Sequence, residues 1–156
     1  MSERYNARVE IGGHLTKAQM PELLGLLNDE NVGDDWGHDY KAELVEAGLR
    51  TAALETRTCV LYVQEITADA LSDLGVTLAG MGLAVVTYCD GQYEYDGEIT
   101  YYDPAGTSVT RLSNNNAGEP VVKLSELKRC MGLSWSLQAV INDNDVPKPQ
   151  PFKIIE

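Results

Sequence analysis

The stretch from Leu83 to Asp103 constrains the fold most, because it joins an apolar run to an acidic, tyrosine-rich one. Residues 83–89 read Leu-Ala-Val-Val-Thr-Tyr-Cys, a composition typical of a buried β-strand. The dipeptide Asp90-Gly91 follows, and it tolerates the positive φ angles of a two-residue hairpin turn. The sequence therefore predicts an antiparallel hairpin whose second strand covers residues 92–103, with a bulge near Gly97.

A strand followed by a helix is predicted twice, and the second copy begins 51 residues after the first. In the first copy an alternating strand over residues 7–13 precedes Thr16, whose spacing to Gln19 matches a helix capping box. In the second copy a strand over residues 59–66 precedes Thr67. We expect an α+β fold in which two strand-helix units share a mostly antiparallel sheet with helices on one side, a layering found in ferredoxin-like folds.

The other elements are predicted from composition and apolar spacing. Residues 41–54 have helix-forming composition, and residues 108–112 and 133–141 are typical of strands. A length of 156 residues is usual for one domain. We therefore predict a single α+β domain over residues 1–145 and an extended, proline-rich C-terminal tail over residues 146–156.

The charge of the chain is strongly negative and unevenly distributed. The formal net charge is −12, and no lysine or arginine occurs between Arg57 and Arg111. That interval holds eight acidic residues: Glu65, Asp69, Asp73, Asp90, Glu94, Asp96, Glu98 and Asp103. Because phosphate groups are bound chiefly by lysine and arginine, direct binding to nucleic acid or to an anionic membrane is disfavoured. A basic protein surface is the natural partner of such a chain.

Several features predict a cytoplasmic protein. The first ten residues contain four charged side chains, which a secretory signal would not tolerate, and no apolar run approaches the ~20 residues needed to cross a bilayer. Cys59, Cys89 and Cys130 form no close pair, so we expect reduced, buried thiols and neither a disulfide framework nor a zinc site.

Two groups of acidic residues are candidate catalytic or metal sites. Asp34, Asp35, His38 and Asp39 offer metal ligands within six residues, but their spacing lacks the pattern of a calcium loop. Carboxylates at alternate positions 94, 96 and 98 share one face of an unbroken strand. No histidine or cation accompanies them in the neighbouring sequence, as carboxylate catalysis usually requires. No catalytic residue, metal ligand or cofactor is therefore predicted, and the chain is interpreted as a non-enzyme.

Tyrosines interleaved with acids favour a protein-binding surface, because large rigid rings beside charges make good anchors. The residues predicted to contact a partner are Tyr93, Glu94, Tyr95, Asp96, Glu98, Asp103, Asp34, Asp35 and Asp39.

Part of the chain resembles short uncharacterised proteins of bacterial phages, plasmids and their hosts. The matching positions are Tyr93-Glu94-Tyr95-Asp96, Glu98-Ile99, Pro104 and Leu124-Ser125-Glu126-Leu127. The resemblance covers under a fifth of the chain and implies a mobile-element setting. Small acidic proteins of such elements often inhibit host defence. The resemblance therefore implies an inhibitor of the anti-CRISPR or anti-restriction type, which blocks a basic, nucleic-acid-binding surface of a host complex.

Two alternatives stay open from the sequence. One is a small metal-dependent hydrolase, and the other is a homo-oligomeric accessory or structural protein whose tyrosines lie in a self-interface.

Overall fold

A long strand, β1 (Arg4–Thr16), organises the fold, and a short 3₁₀ turn (Lys17–Gln19) links it to helix α1 (Met20–Asp29). The computed structural model describes residues 4–90, 97–113, 120, 141–142 and 145–155. The further elements in chain order are α2 (Ala42–Leu54), β2 (Cys59–Thr67), α3 (Ala68–Gly80), β3 (Leu83–Cys89), β4 (Gly97–Tyr102), β5 (Ser108–Ser113) and β6 (Phe152–Ile155).

The strands form one mostly antiparallel sheet in the order β2-β1-β3-β4-β5. Strand β6 is parallel to β1 and pairs with its last four residues, Gly13 to Thr16. At the start of β6 the Phe152 N–H donates to the carbonyl of Arg57, 3.1 Å away, so β6 lies beside the residues that precede β2. The predicted α+β architecture is therefore confirmed, as are the helix at 41–54 and the strand at 108–112.

The main core lies between one face of the sheet and the three helices α1, α2 and α3. Alternate residues of β1, namely Ala7, Val9, Ile11 and Leu15, are fully buried, whereas Arg8 and Glu10 point to the other face. The helices contribute their own apolar positions to the same cluster, which includes Leu23, Leu27, Val45, Leu49, Leu74 and Leu78. In β1 every second side chain is buried, whereas in α1–α3 the buried side chains recur every three or four residues. Both spacings are those expected from the sequence pattern.

A threonine is the N-cap residue at both predicted helix starts. Thr16 and Gln19 make a capping box, in which the Thr16 N–H donates to Gln19 Oε1 at 3.0 Å. Thr67 Oγ1 accepts a hydrogen bond from the Ala70 N–H at 3.2 Å and caps α3. Each cap satisfies amide groups that a helix N-terminus otherwise leaves unpaired. The repeated strand-helix unit is thus present as β1-α1 and β2-α3.

The face of the sheet opposite the helices is also partly buried. Val86 is 1% exposed and Ile99 2% exposed on that face. Residues 145–151, here called the strap, run across it close to β1. A Cβ atom placed on Gly12 would lie 2.0 Å from the carbonyl oxygen of Gln150, so only a glycine permits this approach. The segment predicted as an extended tail therefore carries both the strap and β6, whose Phe152 is fully buried.

The predicted two-residue turn at Asp90-Gly91 is wrong. Such a turn would pair Cys89 with Gln92, whereas Cys89 pairs with Glu98 in the antiparallel ladder of β3 and β4. The register follows from packing across the core, because the Tyr102 ring lies directly over Gly75 in α3. Strand β4 begins at Gly97, and residues 91–96 lie outside the described part of the chain.

The predicted strand at 133–141 lies almost wholly outside the described residues. Its last residue, Ile141, is helical together with Asn142. Strand β6 follows the strap instead and is formed by the apolar residues around Lys153.

We predict that Gly12→Ala lowers the free energy of unfolding by about 1–3 kcal/mol, the usual cost of overpacking. The added methyl group must displace the strap at Gln150, so amide hydrogen exchange in residues 150–155 should also accelerate. Gly25→Ala is the matched control, because nothing lies within 4 Å of its added Cβ and alanine favours the helix. Urea unfolding and exchange measured by mass spectrometry test both variants. A Gly12→Ala protein with wild-type stability and exchange would contradict the close packing of the strap.

Candidate functional site

The acids predicted to contact a partner lie in separate places on the sheet. Asp34, Asp35 and Asp39 belong to the segment before α2. Gly33 of this segment pairs with Tyr62 on the outer edge of β2. Glu98 lies near the start of β4 and Asp103 directly follows that strand. Strands β1 and β3 lie between β2 and β4, a separation of about 14 Å at the usual strand spacing. The loop acids are therefore not brought together with Glu98 and Asp103.

Four of the predicted contact residues, Tyr93, Glu94, Tyr95 and Asp96, lie outside the described residues. Of the neighbouring tyrosines, Tyr102 is buried in the core and Tyr101 is half-buried on the opposite face.

Asp103 and Glu98 differ in their surroundings. The carboxylate of Asp103 accepts a hydrogen bond from the Ala105 N–H at 2.7 Å and so helps to form the turn between β4 and β5. Glu98 is exposed. Burial, with Glu98 and Asp90 nearby, raises the pKa of the Cys89 thiol to about 11. Asp103 thus has a structural role in the turn, and Glu98 is available to solvent.

Residues 30–40, here called the acidic loop, are held in place by backbone pairing with β2. The Gly33 N–H donates to the Tyr62 carbonyl at 2.8 Å, and the Tyr62 N–H donates back to the Gly33 carbonyl at 3.0 Å. A Cβ atom on Gly33 would lie 2.2 Å from the carbonyl oxygen of His38, so the far side of the loop folds directly over this glycine. The loop is a compact structure anchored to the edge of the sheet.

Asn31 closes the loop with its side chain. Its Nδ2 group donates to Asp39 Oδ1 at 2.9 Å, and its Oδ1 atom accepts from the Tyr40 N–H at 2.8 Å. The backbone φ angle of Asn31 is +55°, a value that asparagine tolerates better than most residues. One side chain therefore fixes the position of Asp39 and the exit of the loop.

Asp34 and Asp35 are fixed by shorter-range contacts. Asp35 Oδ1 accepts from the Trp36 N–H at 2.8 Å, and Asp34 Oδ1 lies 3.1 Å from His38 Nδ1. A carboxylate offers about four lone-pair sites, so one such bond leaves capacity for donors from a partner. The arrangement holds the carboxylates in place and still allows them to accept further hydrogen bonds.

An aromatic pair lies among these acids. The Trp36 ring packs on the Tyr62 ring with centroids 4.8 Å apart and an interplanar angle of 54°. Trp36 is 41% exposed, so a partner can reach the indole. Tryptophan and tyrosine are enriched among the residues that dominate interface energies.

Trp36 and Tyr62 were not among the contact residues predicted from the sequence. A signal for Trp36 was present, because it stands between Gly33 and Gly37 in residues 28–40, which hold five acids. Tyr62 gave no such signal, since its role depends on the pairing of β2 with the loop.

Cations from outside the acidic interval offset part of its charge. Arg8 lies 4.4 Å from the centre of the Tyr88 ring. Burial raises the pKa of Asp90, and the positive charge of Arg8 counteracts part of that rise. Arg4 Nη1 donates to the Glu65 carbonyl at 2.7 Å. Arg50 pairs with Glu46 and Arg57 with Glu55, so these two cations already have acidic partners.

One cavity of the described structure lies between the strap and the sheet. It has a volume of about 440 Å³ and is lined by Glu10, Tyr88 and Lys148 among others. Burial first, and then Glu10, raises the pKa of Tyr88, and burial raises that of Cys59 to about 11. In both groups burial disfavours the charged form, so the tyrosine and the thiol hold their protons more tightly than in water.

Within the described ranges, which include Asp34, Asp35, His38 and Asp39, no three histidine, cysteine or acidic side chains are placed to hold a metal ion.

None of the helices in the described part of the chain has the length and apolarity that a membrane crossing requires. Comparison of the chain with protein-family models, with curated proteins and with solved structures finds no match.

We predict that Asn31→Gly loosens the acidic loop. The variant keeps the freedom to adopt a positive φ but loses two side-chain hydrogen bonds, each of which contributes about 0.5–1.5 kcal/mol. Amide hydrogen exchange over residues 31–40 should accelerate several-fold, while exchange in β1 stays unchanged. Asn28→Gly, at an exposed helical position, is the control for loss of an asparagine side chain. Equal exchange in the loop of wild type and Asn31→Gly would show that Asn31 does not hold it.

Proposed function

We propose that the protein is a non-catalytic binding protein whose acidic loop docks on a lysine- and arginine-rich surface of another protein. The observation that carries this proposal is the fixed position of Asp34, Asp35 and Asp39 on the same anchored loop as the exposed Trp36. A partly exposed indole and three carboxylates on one anchored loop match the chemistry of basic side chains.

The loop combines two kinds of attraction for a basic partner. A guanidinium or ammonium group that reaches the open side of the Trp36 ring gains a cation-π interaction of about 0.5–2 kcal/mol. The surrounding carboxylates accept charge-assisted hydrogen bonds from the same kinds of group. Because the Asn31 and Gly33 contacts already order the loop, binding has less conformational entropy to lose.

The net charge of −12 assists the approach of a basic partner over longer distances. It also gives selectivity, because a nucleic acid is repelled by the same charge. A basic surface that normally binds nucleic acid would accept this protein instead, since carboxylates on a fixed loop present negative charge as phosphates do.

The biological setting that we propose follows from the resemblance to proteins of phages and plasmids. In that setting the partner is a host defence complex of the CRISPR or restriction type, and the protein inhibits it by covering its nucleic-acid-binding surface. The residues of the acidic strand that lie outside the described part, Tyr93, Glu94, Tyr95 and Asp96, stay proposed as a second contact, together with Glu98.

A charge-neutral loop tests the proposal. We predict that the triple variant Asp34→Asn, Asp35→Asn, Asp39→Asn binds an immobilised arginine-rich peptide at least about tenfold more weakly than wild type, a loss of about 1.4 kcal/mol. The control variant Glu22→Gln, Asp69→Asn, Asp73→Asn removes the same charge from exposed helix positions and should bind within about threefold of wild type, as expected for charges outside a contact. Surface plasmon resonance at low and physiological salt supplies the measurement.

An equal loss in both triple variants would contradict the proposal, because binding would then depend on net charge alone. Trp36→Ala should weaken the peptide further, whereas Trp36→Phe should retain part of the affinity. Unchanged binding by Trp36→Ala would remove the indole from the proposed contact.

A further inference from the structure

A second surface of the molecule has the opposite chemistry to the acidic loop. A groove of about 460 Å³ lies where the end of α2, the 3₁₀ turn and β6 meet. Its apolar lining is Ala53, Leu54, Ile154 and Ile155, and its charged lining is Lys17, Arg50 and Lys153. Within the described residues the groove is lined by cations and apolar groups and by no carboxylate.

The apolar part of this groove is open to solvent. Leu54 is 86% exposed and Ile155 is 40% exposed, although both are large aliphatic residues. Exposed aliphatic side chains rimmed by charges are typical of interaction sites. The three cations come from three different elements, which meet at the groove. Glu46 neutralises part of the charge of Arg50.

We infer that the acidic loop of a second copy of this chain docks in this groove. The two surfaces are complementary: the loop presents an exposed indole with three carboxylates, and the groove presents an apolar floor with three cations. A groove of this volume lies within the range of about 300–1,000 Å³ that accommodates compact groups such as an indole ring.

The contact has to form between molecules. The acidic loop joins α2 at its N-terminal end and the groove lies at the C-terminal end of the same helix. A helix of 13 residues is about 20 Å long, and Trp36 is held on Tyr62 at the far end. Loop and groove are different surfaces, so the association is heterologous, and the dimer as a whole keeps one free loop and one free groove.

Net charge limits this association but does not abolish it. Two molecules of charge −12 repel each other, yet at physiological ionic strength charges more than about 8 Å apart are largely screened. Contacts between the loop and the groove act within that distance. The inference rests on the proposed function in one respect, since both assign the loop to cationic surfaces. A basic partner would therefore have to displace the groove of the second copy.

Sedimentation equilibrium tests the inference. We expect the mean mass of the wild type to rise above that of a monomer between about 20 µM and 1 mM, the range of weak, small interfaces. Leu54→Ser should stay monomeric throughout, because it removes the most exposed part of the groove floor. Leu44→Ser is the matched control, since Leu44 is 43% exposed on the same helix but does not line the groove, and it should associate as wild type does.

A mixing experiment identifies the two surfaces. Trp36→Ala alone should also be monomeric, yet an equimolar mixture with Leu54→Ser should form dimers, because one partner supplies an intact loop and the other an intact groove. A wild type that is monomeric at every concentration would overturn the inference. Self-association of Trp36→Ala alone would also overturn it, since the grooves would then pair with each other.

The same variants separate this inference from the proposed function. Leu54→Ser should bind the arginine-rich peptide as wild type does, because the loop is intact. Peptide binding without self-association would refute only the second-copy contact, whereas self-association without peptide binding would refute only the proposed function.

Discussion

The hydrogen bonding of β1 to three other strands is the constraint on which the rest of the structure depends. Strands β2 and β3 flank its first part, and β6 pairs with its last four residues. Because β1 is paired along both edges, its alternating side chains are assigned to fixed faces, with Ala7, Val9 and Ile11 in the core. The position of the acidic loop follows from β2, and the position of the groove follows from β6.

Local signals in the sequence predicted much of this fold. Thr16 and Thr67 stand where helices begin, and the alternation of β1 and the apolar run of β3 indicate their burial. The turn at Asp90-Gly91 was predicted wrongly because a turn-forming dipeptide is a local preference, whereas the register of β3 and β4 depends on Tyr102 packing over Gly75. Strand β6 was not predicted because its pairing with β1 joins residues that are far apart in the sequence.

The candidate site was predictable only in part, for the same reason. The acids Asp34, Asp35 and Asp39 were identified from composition. The aromatic pair required the contact between the loop and β2, which no spacing in the sequence reveals. The sequence also suggested one acidic face, but sheet order places the loop and Glu98 on strands that two others separate. Acids that were predicted to form one binding surface therefore lie in more than one region of the fold.

In the proposed function, the acidity of the chain serves recognition by a fixed loop and is not merely a general property of its surface. The most direct test is a nuclear magnetic resonance titration of the labelled protein with an arginine-rich peptide. If the acidic loop is the binding site, the largest chemical-shift changes will occur at the Trp36 indole N–H and at the amides of residues 30–40, with little change in α3. Changes of equal size at Asp69, Asp73 and the acidic loop would contradict it, because they would show that the peptide responds to overall charge and not to this site.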